Sequence, residues 1–458
     1  MLALIAGAVE DRSARGIAAA VSRLVTAGSL QTGTRLPTVR DVARELGVSP
    51  TTVSEAWGSL TRAGAIQTRG RSGTFVAAAS VPRRRLRYAQ LGGPLAGVSR
   101  DLSTGVPDHD LLPGLTDALQ RIGDGRLTTS YLDAPVLPQL EAALRARWPF
   151  APERVTVVDG ALDALDRITA AVVRFGDRVL VENPAFPPML DLLDAVGATV
   201  AGVPVDGSGP VPSTLAAALA EREPVAVYLQ PRAHNPTGVS MTAARAAELA
   251  AVLHGHPGVT IIEDDHAGDI VTAPPVSLGR HLPSRTVHVS SFSKSHGPDL
   301  RLAAIGGPAD LVAAVADRRL LGPGWSSRVL QAVLLDLLTD PAAIAQVATA
   351  RDEYARRRTA LLAALAERDV AATAADGINM WVPVADQQVA MVALAAHGIA
   401  VAPGKPFLVS PLGGDHVRLT VGLVRDGFDE LADILAGAAG FSAGGSGSRA
   451  RPHPRGWR

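Results

Sequence analysis

The sequence predicts an α/β protein in which a large domain, built on a mainly parallel sheet, follows a small helical module. In the large domain, short β-branched runs alternate with longer runs rich in alanine and leucine, as strands alternate with covering helices. Near the N-terminus, two short amphipathic segments flank a glycine and precede a glycine-tipped hairpin pattern. The predicted organisation is an N-terminal module at 1–78, a basic linker at 79–100, the large domain at 101–440 and a disordered basic tail at 441–458.

Composition narrows the cellular setting. The 458 residues include no cysteine, so disulfides and thiolate metal sites are excluded and the reducing cytoplasm is compatible. The apolar start lacks a basic segment and meets Glu10 and Asp11 at once, unlike a signal peptide. The longest uncharged run, 387–404, contains glutamine, histidine and proline and makes a poor membrane span. We therefore expect a cytoplasmic protein with no membrane partner.

Charge is balanced overall but unevenly spread. Residues 1–88 contain 13 arginines and five acidic residues, a net charge of +8, and the tail at 441–458 adds four arginines and no acid. Because 44 basic residues balance 44 acidic ones in the whole chain, the middle carries a charge of −12. A basic module on an acidic body indicates a polyanion partner at the N-terminal end.

Three helices are predicted in the N-terminal module. Apolar residues at helical spacing indicate a helix over 10–27. A second helix is predicted over 38–46, a turn at Gly47, and a third helix that begins after a Ser49 cap and ends near Ala63. Two short helices joined by a glycine turn form a helix-turn-helix.

A hairpin with a basic, glycine-rich tip is predicted over 67–76. Small polar side chains at the start of the third helix can reach base edges in the major groove. Arginines near it and on the hairpin can contact phosphates or the minor groove. The alternative is a plain helical hairpin with solvated arginines. The predicted partner is double-stranded DNA, contacted by Arg40, Thr51, Thr52, Ser54, Arg69, Arg71 and Gly73.

This module resembles the winged-helix domain of the GntR superfamily. The resemblance covers nearly all of residues 10–78. It is carried by Leu-Pro-Thr-Val-Arg at 36–40, Gly-Val-Ser-Pro-Thr-Thr-Val at 47–53 and Gly-Arg-Ser-Gly-Thr-Phe-Val at 70–76. It implies that the module binds DNA.

Seven β-rich runs are predicted as strands of the large domain. A mainly parallel sheet places ligands at the carboxyl ends of its strands, and the residues that can carry chemistry cluster there. The predicted strands span 155–158, 178–182, 199–204, 224–230, 259–264, 286–292 and 302–306.

Lys294 is one of two lysines among 44 basic residues. A composition that uses arginine wherever charge alone is needed makes a retained lysine a candidate for Schiff-base chemistry, which needs an amine. Ser291 and Ser293 precede it and Arg301 lies seven residues further on. Hydroxyls, an arginine and an amine suit a cofactor with an aldehyde and a phosphate, and pyridoxal phosphate has both. The alternative is an ordinary surface charge.

Three other strand ends carry ligand-binding patterns. The turn 159–162 joins a strand to a helix and can hold a phosphate on backbone N–H groups. Phe186 can stack on a flat ring. Asn235, in an Asn-Pro-Thr-Gly turn, can aim its amide at a ligand oxygen. The alternatives are an ordinary turn for the first and last and a core aromatic for the second.

Three consecutive acidic residues, Glu263, Asp264 and Asp265, end a buried strand. Their carboxylates repel one another unless a cation is close, and a protonated pyridine nitrogen would serve for one of them. The alternative is a metal site formed by Asp264, Asp265 and His266. That alternative leaves the lysine and phosphate features without a role, so no metal is predicted.

Together these motifs resemble the fold-type-I pyridoxal-phosphate proteins of aminotransferase class I and II. Their fusion behind a GntR-type module resembles the MocR subfamily of regulators, over about residues 10–440. The resemblance implies a homodimer whose large sheet domain carries a smaller C-terminal α/β subdomain. The residues it assigns to cofactor binding are Lys294, Asp264, Asn235, Phe186, His266, Gly160, Ala161, Ser291, Ser293, Arg301 and Tyr131, and those it assigns to effector binding are Arg418 and Gly105.

The resemblance also implies a role for each residue. Lys294, the implied catalytic residue, carries the cofactor covalently, and Asp264 pairs with the pyridine nitrogen. Tyr131 reaches the phosphate bound by the partner subunit, Arg418 holds a substrate carboxylate, and Gly105 lies near the substrate. The remaining roles are ring contacts for Asn235 and Phe186 and phosphate contacts for Ser291, Ser293, Arg301 and the backbone at Gly160 and Ala161.

The sequence departs from the family pattern at three places. His266 replaces a tyrosine, and a histidine can still donate to the ring oxygen in one of its two tautomers. Ala161 and Leu162 replace a hydroxyl residue and a glutamine, which removes side-chain donors from the phosphate turn. Val136 and Glu141 replace a glycine and an arginine.

Two main functions follow from these patterns. The first is a transcriptional regulator in which an amine or amino-acid effector, or pyridoxal phosphate itself, is sensed at Lys294 and modulates DNA binding. The second is a catalytically active aminotransferase with an accessory DNA-binding module. A regulator that has lost its cofactor is a third. The altered phosphate turn and the complete basic module favour sensing over turnover, although the residues for residual transamination are retained.

Overall fold

The computed structural model describes residues 1–77, 86–92, 97–122 and 130–440. The predicted tail and part of the predicted linker lie outside these residues. The described α-helices are α1 (Leu2–Ala8), α2 (Ala14–Thr26), α3 (Val39–Leu46), α4 (Pro50–Arg62), α5 (Thr116–Ile122), α6 (Pro138–Arg147), α7 (Ala161–Val172), α8 (Pro187–Ala195), α9 (Pro212–Arg222), α10 (Ala243–His254), α11 (Ala309–Leu320), α12 (Arg328–Thr339), α13 (Pro341–Ala366), α14 (Gln387–Ala396) and α15 (Phe428–Ala438). The described strands are β1 (Ile66–Thr68), β2 (Thr74–Val76), β3 (Arg100–Asp101), β4 (Arg154–Val158), β5 (Arg178–Asn183), β6 (Thr199–Asp206), β7 (Gly209–Pro210), β8 (Ala226–Leu229), β9 (Thr260–Asp265), β10 (Thr286–Ser291), β11 (Ala303–Gly307), β12 (Asn379–Val384), β13 (Ile399–Ala400), β14 (Ala402–Pro403) and β15 (Asp415–Thr420).

The N-terminal module is the predicted winged helix-turn-helix. Thr38 caps α3, and Gly47 ends it in the left-handed conformation, with φ 67°, which glycine adopts without steric cost. Ser49 caps α4 by accepting from the N–H of Thr52. The wing is the antiparallel pair β1–β2. The core of the module contains Ile17, Val21, Val42, Leu46, Val53, Trp57 and Leu60.

Two details of the module differ from the prediction. The first predicted helix begins at Ala14 rather than near residue 10, because the Ser13 side chain accepts from the Gly16 N–H and caps it there. The helix α1 precedes it and inserts Ile5 into the core. Seven residues contain less than two helical turns, so their apolar spacing alone does not indicate a helix.

The large domain is built on an eight-stranded sheet with the order β4-β11-β10-β9-β8-β5-β6-β7. Five adjacent strands of this sheet run parallel to one another, in the order β10-β9-β8-β5-β6. All seven predicted strands are present. One core cluster joins α7, α8 and α11 to one face of the sheet. A second joins α9 and α10 to the other face. The predicted mainly parallel, helix-covered sheet is therefore confirmed.

β11 runs antiparallel between β10 and β4. Its first residue, Ala303, lies opposite both Ser291 and Val158, the last residues of those two strands. Because β11 enters the sheet at the edge where β10 and β4 leave it, Arg301 lies at the carboxyl edge beside the turn that follows β4.

The small subdomain is the predicted C-terminal α/β unit. Its antiparallel sheet has the order β12-β15-β14. Leu361 of α13, Leu394 of α14 and Leu435 of α15 pack with Met380 and Leu419 of the sheet in one core. This arrangement fixes Arg418, on β15, where the subdomain meets the large domain.

Part of the predicted linker packs against the large domain. Arg87 forms an ion pair with Asp194 at 2.9 Å, and Leu91 is buried with Trp381 and Phe407. Most of residues 86–92 are exposed, and Arg87 and Leu91 attach this part of the linker to the domain that follows. The chain continues into β3, which pairs with β13 and directs the following residues across the carboxyl edge of the sheet.

Among the described residues, no single helix has the length and apolar character needed to cross a membrane. The bent pair formed by α12 and α13 meets the length and composition criteria together.

Candidate functional site

The candidate site lies at the carboxyl edge of the large sheet. β9 and β10 pair in parallel with Asp264 opposite Val289. The lysine-bearing turn leaves β10 at this edge, and α7 begins here at Ala161 after β4. Parallel pairing thus gathers residues that are far apart in the chain.

Lys294 lies in a desolvated position within this edge. Its Nζ donates a hydrogen bond to the carbonyl oxygen of Gly105. The pKa of Lys294 is lowered from 10.5 to about 8, chiefly by burial and also by the positive charge of Arg418, while Asp264 opposes both effects. A lysine with this pKa is about one tenth neutral amine at pH 7, far more than an ordinary lysine, and Schiff-base formation requires the neutral amine.

Asp264 presents an unsatisfied oxygen. Its Oδ2 accepts from Gln230 Nε2 at 2.9 Å, whereas its buried Oδ1 has no partner among the described residues. Burial raises the pKa of the Asp264 carboxyl, while the nearby His266 opposes that shift. A buried acceptor without a donor costs about 1–3 kcal/mol, and a ligand carrying N–H⁺ would remove that cost.

Gln230 is a site residue that the sequence analysis missed. Besides donating to Asp264, it accepts from the backbone N–H of Asn235 through its Oε1, at 2.9 Å. Its own N–H donates to the buried carboxyl of Glu182 at 2.7 Å. Gln230 therefore orients both groups expected to meet a ring. The available signal was an amide residue at a strand end, five residues before Asn235.

The hydrogen bond from its backbone N–H to Gln230 positions Asn235. Its buried side-chain Oδ1 is left without a donor within the described part of the chain. The neighbouring His234 is buried, and burial lowers the pKa of its imidazole to about 3. The imidazole Nδ1 of His234 lies 2.8 Å from the hydroxyl of Thr237.

The hydrogen bond of His266 selects its tautomer. Its Nε2 lies 2.9 Å from the carbonyl oxygen of Ala233, and a carbonyl only accepts, so Nε2 carries the hydrogen. Burial lowers the pKa of His266, with Asp264 opposing the shift, so the ring is neutral and Nδ1 is an acceptor. Toward a ring oxygen this histidine is therefore an acceptor rather than a donor, because a backbone carbonyl has selected the tautomer.

Asp265 points to the opposite face of the strand from Asp264, and one of its carboxylate oxygens is bound by an arginine. Its Oδ2 accepts from Arg232 Nε at 3.1 Å and from Arg232 Nη2. Asp264 and Asp265, two of the three residues of the alternative metal site, thus accept hydrogen bonds from different side chains. Among the described residues, no cluster of three histidine or acidic side chains is spaced to hold a metal ion.

The predicted phosphate turn and Arg301 are brought together. Gly160 has φ 103°, and a Cβ built on it would lie 3.0 Å from Arg301 Nη2, so the approach requires glycine. Arg301 Nη2 donates to the carbonyl of Asp159 at 3.2 Å. The N–H groups in the first turn of α7 have no acceptor within their own helix. Ala161 and Leu162 add no polar side chain there.

The two serines lie on the same rim. Ser291 closes β10 and is buried, and its Oγ accepts from the N–H of Ser293 at 3.4 Å. Since β11 joins β10 to β4, Ser291 lies two strands from the turn at Gly160. The predicted phosphate ligands therefore share one edge.

Arg418 is buried behind the segment that follows β3. It is 2% exposed, its Nη2 donates to the carbonyl of Ser103, and its Nε has no partner among the described residues. Burial lowers the pKa of Arg418 to about 10. Gly105 has φ 65°, and a Cβ there would lie 2.6 Å from Arg418 Nη1. An acid group that reaches Arg418 must displace this segment.

The two predicted aromatic site residues differ in their surroundings. Phe186 caps the start of α8 and is partly buried against the sheet core. Tyr131 is 91% exposed, and its ring lies 6.0 Å from that of Trp325. The single chain thus gives Tyr131 no part in its own pocket.

Three of the predicted DNA-contacting residues lie at the start of α4. Thr51 and Ser54 are exposed on one face of the helix. The hydroxyl of Thr52 lies 2.8 Å from Ser49 Oγ, so it takes part in the helix cap rather than pointing freely outward.

The other predicted contacts lie on α3 and the wing. Arg40 is exposed, and the Arg69 guanidinium lies 5.1 Å from the centre of the Phe75 ring. Gly73 has φ 104°, and a Cβ on it would lie 2.9 Å from Arg35 Nε, so the wing tip needs glycine. The side chain of Arg71 lies outside the described part of the structure.

Comparison with known families divides the chain at the same place as its fold. Residues 13–76 match the family described as bacterial regulatory proteins, gntR family. Residues 100–435 match the family described as aminotransferase class I and II.

Curated relatives extend over nearly the whole chain. The vitamin B6 salvage pathway transcriptional repressor PtsJ of Salmonella typhimurium is 35% identical over 425 residues, which is 91% of this chain and 96% of that protein. The HTH-type transcriptional regulator TauR of Rhodobacter capsulatus is 28% identical over 440 residues, covering 84% of this chain and 88% of its own. The predicted combination of the two parts is confirmed.

Solved structures agree on the fold of the large domain. The alpha-aminoadipate aminotransferase LysN of Thermus thermophilus, complexed with N-(5'-phosphopyridoxyl)-L-leucine, has a TM-score of 0.67 at 21% identity. The match covers 78% of this chain and 98% of LysN. At this identity the likeness shows the fold alone.

The lowered pKa of Lys294 predicts its reactivity in protein without ligand. Because the amine loses its proton near pH 8 rather than near 10.5, acetylation of Lys294 by a trace reagent should rise with pH and reach half its maximum near pH 8. Lys405, which is exposed and paired with Asp415, serves as the internal reference, and mass spectrometry of the two lysine peptides gives the ratio. A midpoint near 10.5 would show that the amine is not desolvated.

Proposed function

We propose that this chain, which belongs to the aminotransferase class I and II family and carries a gntR-family DNA-binding module, is a pyridoxal-phosphate-binding transcriptional regulator. A small amine or amino acid, or pyridoxal phosphate itself, is sensed at Lys294 and changes how the winged helix binds DNA. PtsJ, 35% identical, is a repressor of vitamin B6 salvage, and pyridoxal phosphate is a form of that vitamin. This relation favours the cofactor as one signal. The place of action we infer is the cytoplasm.

The unsatisfied Oδ1 of Asp264 beside an amine of lowered pKa is the observation that carries the proposal. A protonated pyridine nitrogen supplies the missing donor, and Asn235 supplies a carboxamide for the ring oxygen. His266 offers Nδ1 to a hydroxyl hydrogen rather than donating one. Bound here, pyridoxal phosphate supplies an aldehyde carbon that an amine can capture.

The phosphate would be held at the rim by backbone and charge. The first turn of α7 offers N–H groups and the positive end of the helix dipole, and Arg301 adds a guanidinium beside Gly160. Ser291 and Ser293 add hydroxyls. Phe186 remains the proposed ring-stacking residue. With Ala161 and Leu162 contributing no donors, retention of the cofactor depends more on Lys294 than in a site with a polar turn.

An effector carboxylate is proposed to bind Arg418. The unsatisfied Nε of this buried arginine needs an acceptor, and a bidentate carboxylate supplies two. The carbonyls of Ser103 and Gly105 now accept from Arg418 and Lys294. An amino acid would take both contacts at once, with its carboxylate on Arg418 and its amine at the position of Lys294. It would thereby release the segment that follows β3, and binding could shift the population of conformations.

A homodimer is proposed from an exposed apolar patch. Tyr131 is 91% exposed and Leu132 95% exposed, and the ring of Trp325 lies 6.0 Å from that of Tyr131. Large apolar side chains that protrude together mark an interface. A second copy of the chain would cover them and would bring Tyr131 to the partner's phosphate.

A second candidate function is transamination by the same site. Lys294, Asp264 and Arg418 are all retained, which favours it. Steady transfer of an amino group from an amino acid to a 2-oxo acid, together with no measurable affinity for DNA, would show that the protein is an enzyme rather than a regulator.

Removal of Lys294 should abolish covalent cofactor binding. Added pyridoxal phosphate should give the wild type a visible absorbance band that Lys294→Ala lacks, because no other amine lies in the pocket among the described residues. Lys405→Ala is the matched control and should keep the band. An amine that alters DNA affinity of the wild type should have no effect on Lys294→Ala. A Lys294→Ala protein that keeps both band and response would contradict the mechanism.

Arg69→Ala should weaken binding to all DNA sequences by a similar factor. An arginine that contacts a phosphate releases about one counterion, so the slope of log affinity against log salt should fall by about 0.9. Fluorescence anisotropy at several salt concentrations measures the slope. Arg351→Ala, on the large domain, is the control of equal charge. An unchanged slope for Arg69→Ala would remove this residue from the DNA interface.

Leu132→Asp should dissociate the proposed dimer, because a carboxylate would be buried against the apolar patch of the second copy. Sedimentation velocity should show a monomer for this variant. It should show a dimer for the wild type and for Val392→Asp, which places the same charge on the exposed face of α14. A wild-type monomer, or a dimeric Leu132→Asp, would reject this interface.

A further inference from the structure

The face of α4 that is expected to read DNA is exposed to solvent, but it lines a cleft whose opposite wall belongs to the large domain. Thr51, Ser54, Glu55 and Gly58 recur at intervals of three and four residues, so they form one face of the helix. The opposite face is buried in the core of the module through Val53, Ala56, Trp57 and Leu60. This division leaves one side of α4 for a partner.

The exposed side of α4 and the large domain form the two walls of this cleft. The cleft has a volume of about 600 Å³ and is lined by Thr51, Ser54, Glu55 and Gly58 on one wall. The other wall consists of the turn before β5, the start of β6 and the end of α9. A cleft of this volume is the size of a small-molecule pocket. A recognition helix inserts into a major groove about 12 Å wide and 8.5 Å deep. The cleft between α4 and the large domain is therefore too small to admit a duplex.

One ion pair and one aromatic ring hold the two parts together. Arg15 Nη1 lies 2.7 Å from Asp177 Oδ1, and the Asp177 side chain is only 4% exposed. Asp177 is rigidly placed, since its Oδ2 accepts from the Arg174 N–H at 2.6 Å and its carbonyl accepts from the Thr199 N–H at 2.7 Å. Phe175, from the same turn, packs against the core cluster of the N-terminal module.

The wall formed by the large domain would exclude a DNA duplex by its shape rather than by its charge. Glu221 and Glu223 are balanced by Arg178 and Arg222 on the same wall, and Asp177 is neutralised by Arg15. The Arg15 side chain of the ion pair is 53% exposed, so water screens the pair. Interfaces between domains of one chain open readily unless they are large and apolar.

We propose that this docked arrangement is an autoinhibited state, in which the contact of Arg15 and Phe175 keeps the reading face of α4 against the chain's own large domain. Access to DNA then requires the N-terminal module to leave the turn 175–177. This inference rests on the proposed DNA-binding function and assigns its regulation to a defined contact.

The absence of cysteine from the chain allows a selective test of the docked state. A Cβ built on Gly176 lies 3.4 Å from the Cβ of Arg15, close to the separation of about 3.5–4.5 Å found in disulfides. The double variant Arg15→Cys with Gly176→Cys can therefore be cross-linked by oxidation and released by dithiothreitol. The reduced form is its own control for the lost arginine and for strain at Gly176, which has φ 82°.

Binding of a fluorescein-labelled mixed-sequence duplex at low salt gives the readout. The oxidised double variant should bind at least tenfold more weakly than the same protein after reduction, and each single variant should bind equally under both conditions. Non-reducing electrophoresis must show the cross-link within a monomer, and a covalent dimer would contradict docking within one chain. Equal affinity before and after reduction would overturn the inference alone. No binding by the wild type would overturn the proposed function and this inference with it.

A second variant tests the same state without cysteines. Phe175→Ala removes the aromatic contact but changes no charge and no residue of α4. It should bind the duplex several-fold more tightly than the wild type, while Ile344→Ala, which removes an exposed apolar side chain elsewhere on the large domain, should bind equally. Unchanged or weaker binding by Phe175→Ala would contradict the autoinhibited state, even if the double variant failed to fold or to cross-link.

Discussion

The parallel pairing of β9 with β10 is the constraint on which the candidate site depends. Its register sets Asp264 opposite Val289 and Asp265 opposite Ser290, and consecutive side chains of a strand point to opposite faces. Asp264 therefore joins Lys294 and Gln230, while Asp265 joins Arg232. A slip of one residue would exchange the two carboxylates and leave the lysine without its acid.

The polar network behind the site is only partly satisfied, and three of its atoms without a partner in the described part of the chain belong to residues predicted to bind a ligand. Gln230 uses both ends of its amide and its backbone N–H. Asp264 Oδ1, Asn235 Oδ1 and Arg418 Nε have no partners among the described residues. Unsatisfied buried groups destabilise a fold by about 1–3 kcal/mol each. Three of them around a lysine of lowered pKa indicate a site built for a polar ligand rather than for stability.

One short strand connects the two regions on which the proposals rest. β5 begins at Arg178, next to the turn that holds Arg15 and the N-terminal module. It ends at Asn183, one residue after Glu182, which accepts from the N–H of Gln230 in the candidate site. The ligand network and the docking contact thus lie at opposite ends of a single rigid element. A change in one end reaches the other only if β5 or its neighbours have two arrangements.

The sequence by itself determined the elements and the identity of the chemistry. The spacing of apolar residues, the Ser49 cap and the glycine turn at residue 47 predicted the winged helix. The scarcity of lysine singled out Lys294. These signals can be read from the sequence because they are local to the chain. Tertiary structure alone decided what those residues meet. The antiparallel entry of β11 carried Arg301 to the phosphate turn, a carbonyl at Ala233 chose the tautomer of His266, and Gln230 and Gly105 became neighbours of Asp264 and Lys294. Such contacts join residues separated by tens to hundreds of positions, and periodicity carries no information about pairing at that range.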